Sequence, residues 1–151
     1  MPSIIVKVPE GAFDVAGRER LAKGITAAAK SAEKIGDDPR QEFTTWLVIE
    51  EVKAGYFFAG GNDPVAQVLP VIVFFYAPAG VLDEADRATA VQLIHAAVAV
   101  AKPNADPRPV MTSVIVFDVP DGTWGGSGVL WRLPDFARAA GYKHLQHLTA
   151  A

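Results

Sequence analysis

Pro2-Ser3-Ile4-Ile5-Val6-Lys7-Val8-Pro9-Glu10-Gly11 returns further along the chain as Pro70-Val71-Ile72-Val73-Phe74-Phe75-Tyr76-Ala77-Pro78-Ala79-Gly80. Both are apolar runs bracketed by prolines, and proline is tolerated at the first residue of a strand. Val71 to Tyr76 is apolar without a break, which suits a strand covered on both faces. The repeat then extends outward. An alanine-rich helix is expected after each strand. The first covers about 14–34 with Leu21, Ile25, Ala28 and Ala32 on one face; the second covers about 83–102 with Ala90, Ile94, Ala97 and Ala101 on one face. Asp14 and Asp83 stand where a side-chain oxygen can accept from the unpaired N–H groups of the first turn. Asp38-Pro39-Arg40 and Asp106-Pro107-Arg108 each precede a second strand, at 45–52 and 113–119. Finally, Gly55-Tyr56-Phe57-Phe58-Ala59-Gly60-Gly61 mirrors Gly122-Thr123-Trp124-Gly125-Gly126-Ser127-Gly128. Glycine enters positive φ without steric cost, so both segments read as hairpins or bulged turns.

The unit is strand, helix, strand, hairpin, written twice. It predicts an α/β (α+β) domain of two tandem pseudo-symmetric β-α-β-hairpin units. These would form one four-stranded mixed sheet with two helices on one face. The two strands within each unit would run parallel through a right-handed crossover. Residues 1–69 form the first unit, 70–129 the second, and 130–151 a C-terminal tail. In the tail, Pro134 can open a short helix and Gly141 can close it. Leu133, Phe136, Tyr142, Leu145 and Leu148 predict that the tail docks onto the body or a neighbour. With helices on one face only, the other needs a second layer or another subunit.

Composition narrows the function classes. Half of the 151 residues are hydrophobic and 21% are charged, enough for one domain with a real core and a hint of a buried subunit interface. The net charge of -3, with no run of Lys and Arg, argues against a nucleic-acid partner. The absence of cysteine excludes disulfides, thiolate metal sites and a cysteine nucleophile. The most apolar window, Val68 to Leu82, is too short to span a bilayer and is broken by Pro70 and Pro78. No apolar segment of signal-peptide type follows Lys7. A cytoplasmic protein without a membrane partner is the expectation.

Other chemistries find less support. His144 and His147, three apart, could offer two metal ligands, but no third is evident and no metal is expected. The glycine clusters lack the Lys-Ser/Thr of a phosphate loop and the strand-to-helix context of a dinucleotide fingerprint. One of Glu50 and Glu51 must share a face with Trp46 and Val48, which could bring a carboxylate to a pocket.

Pro2 is the residue with distinctive chemistry. A small penultimate residue lets the initiator methionine be trimmed, leaving Pro2 with a free secondary amine. Burial beside apolar groups disfavours the charged form of such an amine and brings it toward the range where general-base catalysis works. The plain alternative is a proline that simply opens a strand.

The duplicated unit resembles the tautomerase superfamily, built from β-α-β-hairpin units with a catalytic amino-terminal proline. Glu51-Val52-Lys53-Ala54-Gly55-Tyr56-Phe57-Phe58-Ala59-Gly60-Gly61 is similar to the strand end and hairpin of 4-oxalocrotonate tautomerase. The Pro9-Glu10-Gly11 corner resembles the turn after that family's first strand. The fused length resembles malonate semialdehyde decarboxylase, cis-3-chloroacrylic acid dehalogenase and macrophage migration inhibitory factor. Pro120-Asp121-Gly122-Thr123-Trp124-Gly125-Gly126 is similar to the decarboxylase's second hairpin.

The resemblance implies a homotrimer acting on a small-molecule substrate without metal or organic cofactor. Pro2 would be the catalytic base or acid. Trp124, Tyr76 and Trp46 would wall the pocket, with Trp46 from a neighbouring subunit. The family's arginine clamp for a substrate carboxylate is missing. The second-unit corner, Tyr76-Ala77-Pro78-Ala79-Gly80-Val81, has no arginine; Ala12 holds the first-unit corner; Trp46 and Ser113 hold the second-strand positions. Arg132 is the best substitute anion partner, ahead of Arg40 and Arg108. The expected function is a tautomerase-like isomerase or lyase acting on a small carbonyl or keto/enol acid. The rival is a non-catalytic trimer of the same fold with a binding or structural role.

Overall fold

Ile4, Val6 and Val8 are buried along the first strand while Ser3, Ile5 and Lys7 are only partly covered. That alternation marks a sheet with one packed face and one open one. The computed structural model describes residues 1–150; Ala151, the last residue of the expected tail, lies outside the described residues. The elements are β1 (Ser3–Pro9), α1 (Val15–Glu33), α2 (Pro39–Glu42), β2 (Trp46–Val52), β3 (Leu69–Pro78), α3 (Glu84–Ala101), β4 (Val110–Val119), β5 (Trp124–Gly126), β6 (Val129–Trp131) and α4 (Leu133–Ala140). A short 3-10 turn, Gln146–Leu148, follows.

The four-stranded sheet has the order β2-β1-β3-β4. β1 pairs parallel with β2, β3 pairs parallel with β4, and β1 meets β3 antiparallel across the pseudo-symmetry axis. This is the mixed sheet that two parallel βαβ units produce when joined through their first strands. α1 and α3 pack on one face, where Leu21, Ile25, Ile94 and Val98 bury against Val6, Val73 and Phe75. Each such aliphatic side chain contributes roughly 2 kcal/mol of apolar transfer. Both helices start as their caps dictate. Asp14 accepts from the Gly17 N–H at 2.7 Å, and Asp83 accepts from the Asp86 N–H at 2.7 Å. α1 stops at Lys34, whose left-handed backbone (φ 54) sends its N–H back to the carbonyls of Lys30 and Ser31.

The hairpins of the two units differ. β5 and β6 form a true ladder, with Trp124 opposite Trp131 and a turn at Ser127 and Gly128. Residues 55–61 make only an isolated bridge from Ala59 to Asn62. Tyr56 and Phe58 in this segment are exposed. β4 also starts at Val110, ahead of the expected 113, because β3 begins at Leu69 and pairs along its whole length.

The tail packs beside the N-terminus. Phe136 of α4 sits between the rings of Trp124 and Trp131, with centroids 5.3 and 5.2 Å away. The Gly36 N–H donates to the Ala140 carbonyl at 3.1 Å, and the Lys143 N–H donates to the Lys34 carbonyl at 2.8 Å. Tyr142 is fully buried. The opposite sheet face stays open and apolar, with Trp46 70%, Val48 54% and Met111 62% exposed.

Candidate functional site

The start of β1, the loop entering β2 and the β5–β6 hairpin meet at one end of the sheet. Their cleft holds about 260 Å³ and is lined chiefly by Met1, Pro2, Phe43, Trp46, Trp124 and Trp131. Each wall has a local cause. Pro2 is buried because it continues the inward-facing register of Ile4 and Val6. Trp46 is the first residue of β2, and its N–H donates to the Pro2 carbonyl at 3.1 Å. Trp124 and Trp131 are held over the cleft by Phe136 behind them. None of the described lining residues is Lys or Arg.

Three of the expected site residues, Pro2, Trp46 and Trp124, therefore share one cleft within a single protomer. Tyr76 does not line it. The residue lies on the open face opposite Ser3, one strand beyond Trp46, and stacks on Phe117 at 4.8 Å. Arg132 also turns away. Its guanidinium folds over the turn before β5, reaching the Asp121 carbonyl and carboxylate at 3.4 Å. Gly122 makes room there, since a side chain at its positive φ of 77° would collide with the guanidinium. Arg40 and Arg108 are closed onto Asp38 and Asp106 of their own turns. Glu50 pairs with Lys7 on the open face, and Glu51 accepts from the Gly11 N–H at 3.2 Å. His144 donates through Nε2 to the Val81 carbonyl at 2.8 Å, and the exposed His147 sits in the 3-10 turn. Among the described residues no group of three or more His, Cys, Asp and Glu side chains gathers to hold a metal. Among the described residues no helix is long and apolar enough to cross a membrane.

Glu33 had not been anticipated, and Tyr142 only as a docking residue of the tail. Glu33, the last residue of α1, is fully buried. Its Oε2 accepts from the Met1 amino group at 3.0 Å and from the Tyr142 hydroxyl at 2.9 Å, and the hydroxyl itself touches the amine. Oε1 is buried with no hydrogen-bond partner among the described residues. Burial raises the Glu33 carboxyl above its ordinary range, with the neighbouring ammonium pulling the other way. Burial likewise lowers the Met1 amine, against the opposing pull of Glu33. Low polarity opposes both charges, so the pair lasts only because each supplies the other's partner. The sequence did carry a signal. Leu21, Ile25, Ala29 and Glu33 follow one another at four-residue steps, which puts a carboxylate on the apolar stripe of α1.

No family model and no curated protein matches the chain. Solved structures do. A wild-type fused 4-OT described as an asymmetric trimer superposes with a TM-score of 0.68 at 21% identity, covering 92% of this chain and 98% of its own. A member of the cis-3-chloroacrylic acid dehalogenase family superposes at 0.67 with 16% identity, covering 99% of this chain and 92% of its own. Pt0534 inactivated by 2-oxo-3-pentynoate superposes at 0.58 with 13% identity, covering 83% of this chain and 93% of its own. The chain therefore has the fold of the fused 4-OT and cis-3-chloroacrylic acid dehalogenase family structures, the two-unit fold that the resemblance implied.

Proposed function

We propose that the chain is a tautomerase-type isomerase or lyase whose working group is the amine of Pro2 after removal of Met1. The observation that carries this reading is the buried Pro2 at the floor of an aromatic cleft. A secondary amine there, shielded by Trp46, Trp124 and Trp131, could take a proton alpha to a carbonyl and return it elsewhere, giving keto–enol isomerisation. Kept protonated, the same amine would serve as the acid in decarboxylation or hydration. The substrate is a small carbonyl or keto/enol compound, and the lack of cations among the described lining residues favours one whose recognised group is not a carboxylate. The open apolar sheet face and the trimeric 4-OT relatives support a homotrimer, in which Tyr76 could reach a neighbour's cleft.

The test has two steps. Intact mass establishes whether Met1 has been removed, because an acylated proline nitrogen has no basicity. Keto–enol interconversion of an uncharged aryl 1,3-diketone by wild type and Pro2→Ala then decides the matter. Loss of rate in the variant supports the proposal; equal rates sink it and leave the non-catalytic trimer as the better reading.

A further inference from the structure

We infer that Glu33, clamped by Tyr142, is the counter-ion and positioning residue of the Pro2 amine. It takes one N–H of that amine from behind and leaves the remaining position of the nitrogen facing the cleft. The inference rests on the proposed reading in that it takes the working chain to begin at Pro2.

The chain's own covalent geometry brings the two groups together. The Met1 amino group lies 3.0 Å from Glu33 Oε2 and touches the Tyr142 hydroxyl. Three covalent bonds separate the Met1 and Pro2 nitrogens, which are therefore about 2.7–3.7 Å apart. The Pro2 carbonyl accepts from the Trp46 N–H at 3.1 Å, so loss of Met1 leaves Pro2 tethered at the head of β1. Its ring nitrogen keeps one free torsion, about the Cα–C bond, with which to turn toward the carboxylate. Glu33 stays where it is. It is fully buried at the end of α1, and the Tyr142 hydroxyl donates to its Oε2 at 2.9 Å. Oε1 has no partner among the described residues, so the carboxylate keeps an acceptor to spare.

A buried carboxylate needs a counter-ion, and the basic side chains around it are committed elsewhere. Lys34 pairs with Asp86, and Lys30 and Lys143 pair with Asp37. His144, whose ring lies 6.1 Å from that of Tyr142, donates through Nε2 to the Val81 carbonyl. On the cleft side no described lining residue has a charged side chain. Among the described residues, the charge acting on the terminal amine is that of Glu33.

The contact does two things at once. A neutral proline amine has one N–H and one lone pair; a protonated one has two N–H. Donating one N–H back to Glu33 turns the lone pair, or the second N–H, into the cleft. Burial alone pushes the amine toward its neutral form, and the carboxylate behind it offsets part of that push. Glu33 acts through Pro2 and does not line the cleft.

The amine can be titrated without turnover. Protein released from a cleavable fusion so that it begins at Pro2 is reacted briefly with acetic anhydride over a series of pH values. Only unprotonated amine reacts, and the mass of the N-terminal peptide reads the extent. Glu33→Gln should lower the midpoint of that curve by roughly one to three pH units, the usual effect of removing an adjacent opposite charge. Glu33→Asp keeps the charge but draws it back, and should lower the midpoint by less; it serves if Glu33→Gln does not fold. A midpoint that stays in place or rises in a folded variant overturns the inference. A merely structural Glu33 would lower the melting temperature and leave the midpoint alone. Failure of the catalytic reading, seen as equal rates for wild type and Pro2→Ala, is registered separately because the labelling needs no turnover.

Discussion

The molecule contains its cleft twice. At Pro2 the walls are Trp46, Trp124 and Trp131; at the matching Pro70 a smaller cleft of about 210 Å³ is lined by Phe57, Ala59, Val68, Met111 and Ser113. Trp124 corresponds to Phe57, and Trp46, paired with Ser3, corresponds to Ser113, paired with Ile72. The buried stripe of α1 at Leu21, Ile25 and Ala32 matches that of α3 at Ala90, Ile94 and Ala101, so Glu33 corresponds to Lys102. Fold and helix packing are shared, while the two prolines are one residue out of step: Pro2 continues the inward face of Ile4 and Val6, and in β3 that face is Val71, Val73 and Phe75. The difference lies in covalent chemistry and charge. The Pro70 nitrogen is an amide in mid-chain, and the helix position equivalent to Glu33 carries a partly covered lysine. At Pro2 the chain can present an amine, and the helix ends in a carboxylate. Duplication supplied two equivalent cradles, and only the terminal one can act as an acid or base.

The most severe way to break that asymmetry is to make the two prolines alike. A two-residue extension that resists trimming turns the Pro2 nitrogen into an amide. It should lower kcat/KM for keto–enol interconversion of an uncharged aryl 1,3-diketone about 10²–10⁴-fold, the usual contribution of one general base. Pro70→Ala should leave that rate unchanged.

The next comparison is Glu33 against Lys102. In protein that retains Met1, Glu33→Ala strands a buried ammonium and the Tyr142 hydroxyl, and should destabilise the fold by about 3 kcal/mol in urea unfolding. Glu33 shows where reading the sequence stopped. The strands, both helices with their Asp14 and Asp83 caps, and the turn residues were legible because each is written locally, in a period or a spacing. The place of Glu33 on the apolar stripe of α1 is written locally, at four-residue steps from Leu21, but its partner Tyr142 lies 109 residues away and no local pattern announces that contact. Pro2 and Trp124 were legible as site residues only because the repeat put a proline and a hairpin aromatic at matching places. Arg132 misled for the opposite reason. It was the free arginine nearest the hairpin in sequence, but Asp121 captures it.

Trp124 against Phe57 gives a smaller effect. Trp124→Ala removes a ring that packs on Phe136 and should cost about 2 kcal/mol. Phe57→Ala, at a ring outside the core, should cost less, as paired thermal melts would show.

The mildest contrast is between the two Asp-Pro-Arg turns. The Arg108 and Arg40 guanidiniums bond Asp106 and Asp38 and hold each carboxyl down to about 2, from 3.8. A carboxyl depressed in the folded state stabilises above its unfolded pKa and loses that stability as pH falls toward its folded value. Both contributions should therefore fade between about pH 4 and pH 2. Arg108 also donates to the Val65 carbonyl at 2.9 Å and is largely covered, whereas Arg40 is exposed. Asp106→Asn should be the more costly of the pair at pH 7, by under about 1 kcal/mol. Acid titrations of the two variants check both the window and the order.

The knot of Met1, Glu33 and Tyr142 also sets a deadline during synthesis. The first residue leaves the ribosome long before Tyr142 is made, and until then its amine is open to an aminopeptidase. When the tail docks, an amine still carried by methionine is drawn against the carboxylate and shut away from any exopeptidase. On the proposed reading, molecules trimmed in time would close around a proline amine, and the others around methionine. The proportion of the two would then be set by which is faster, the peptidase or the last twenty or so residues.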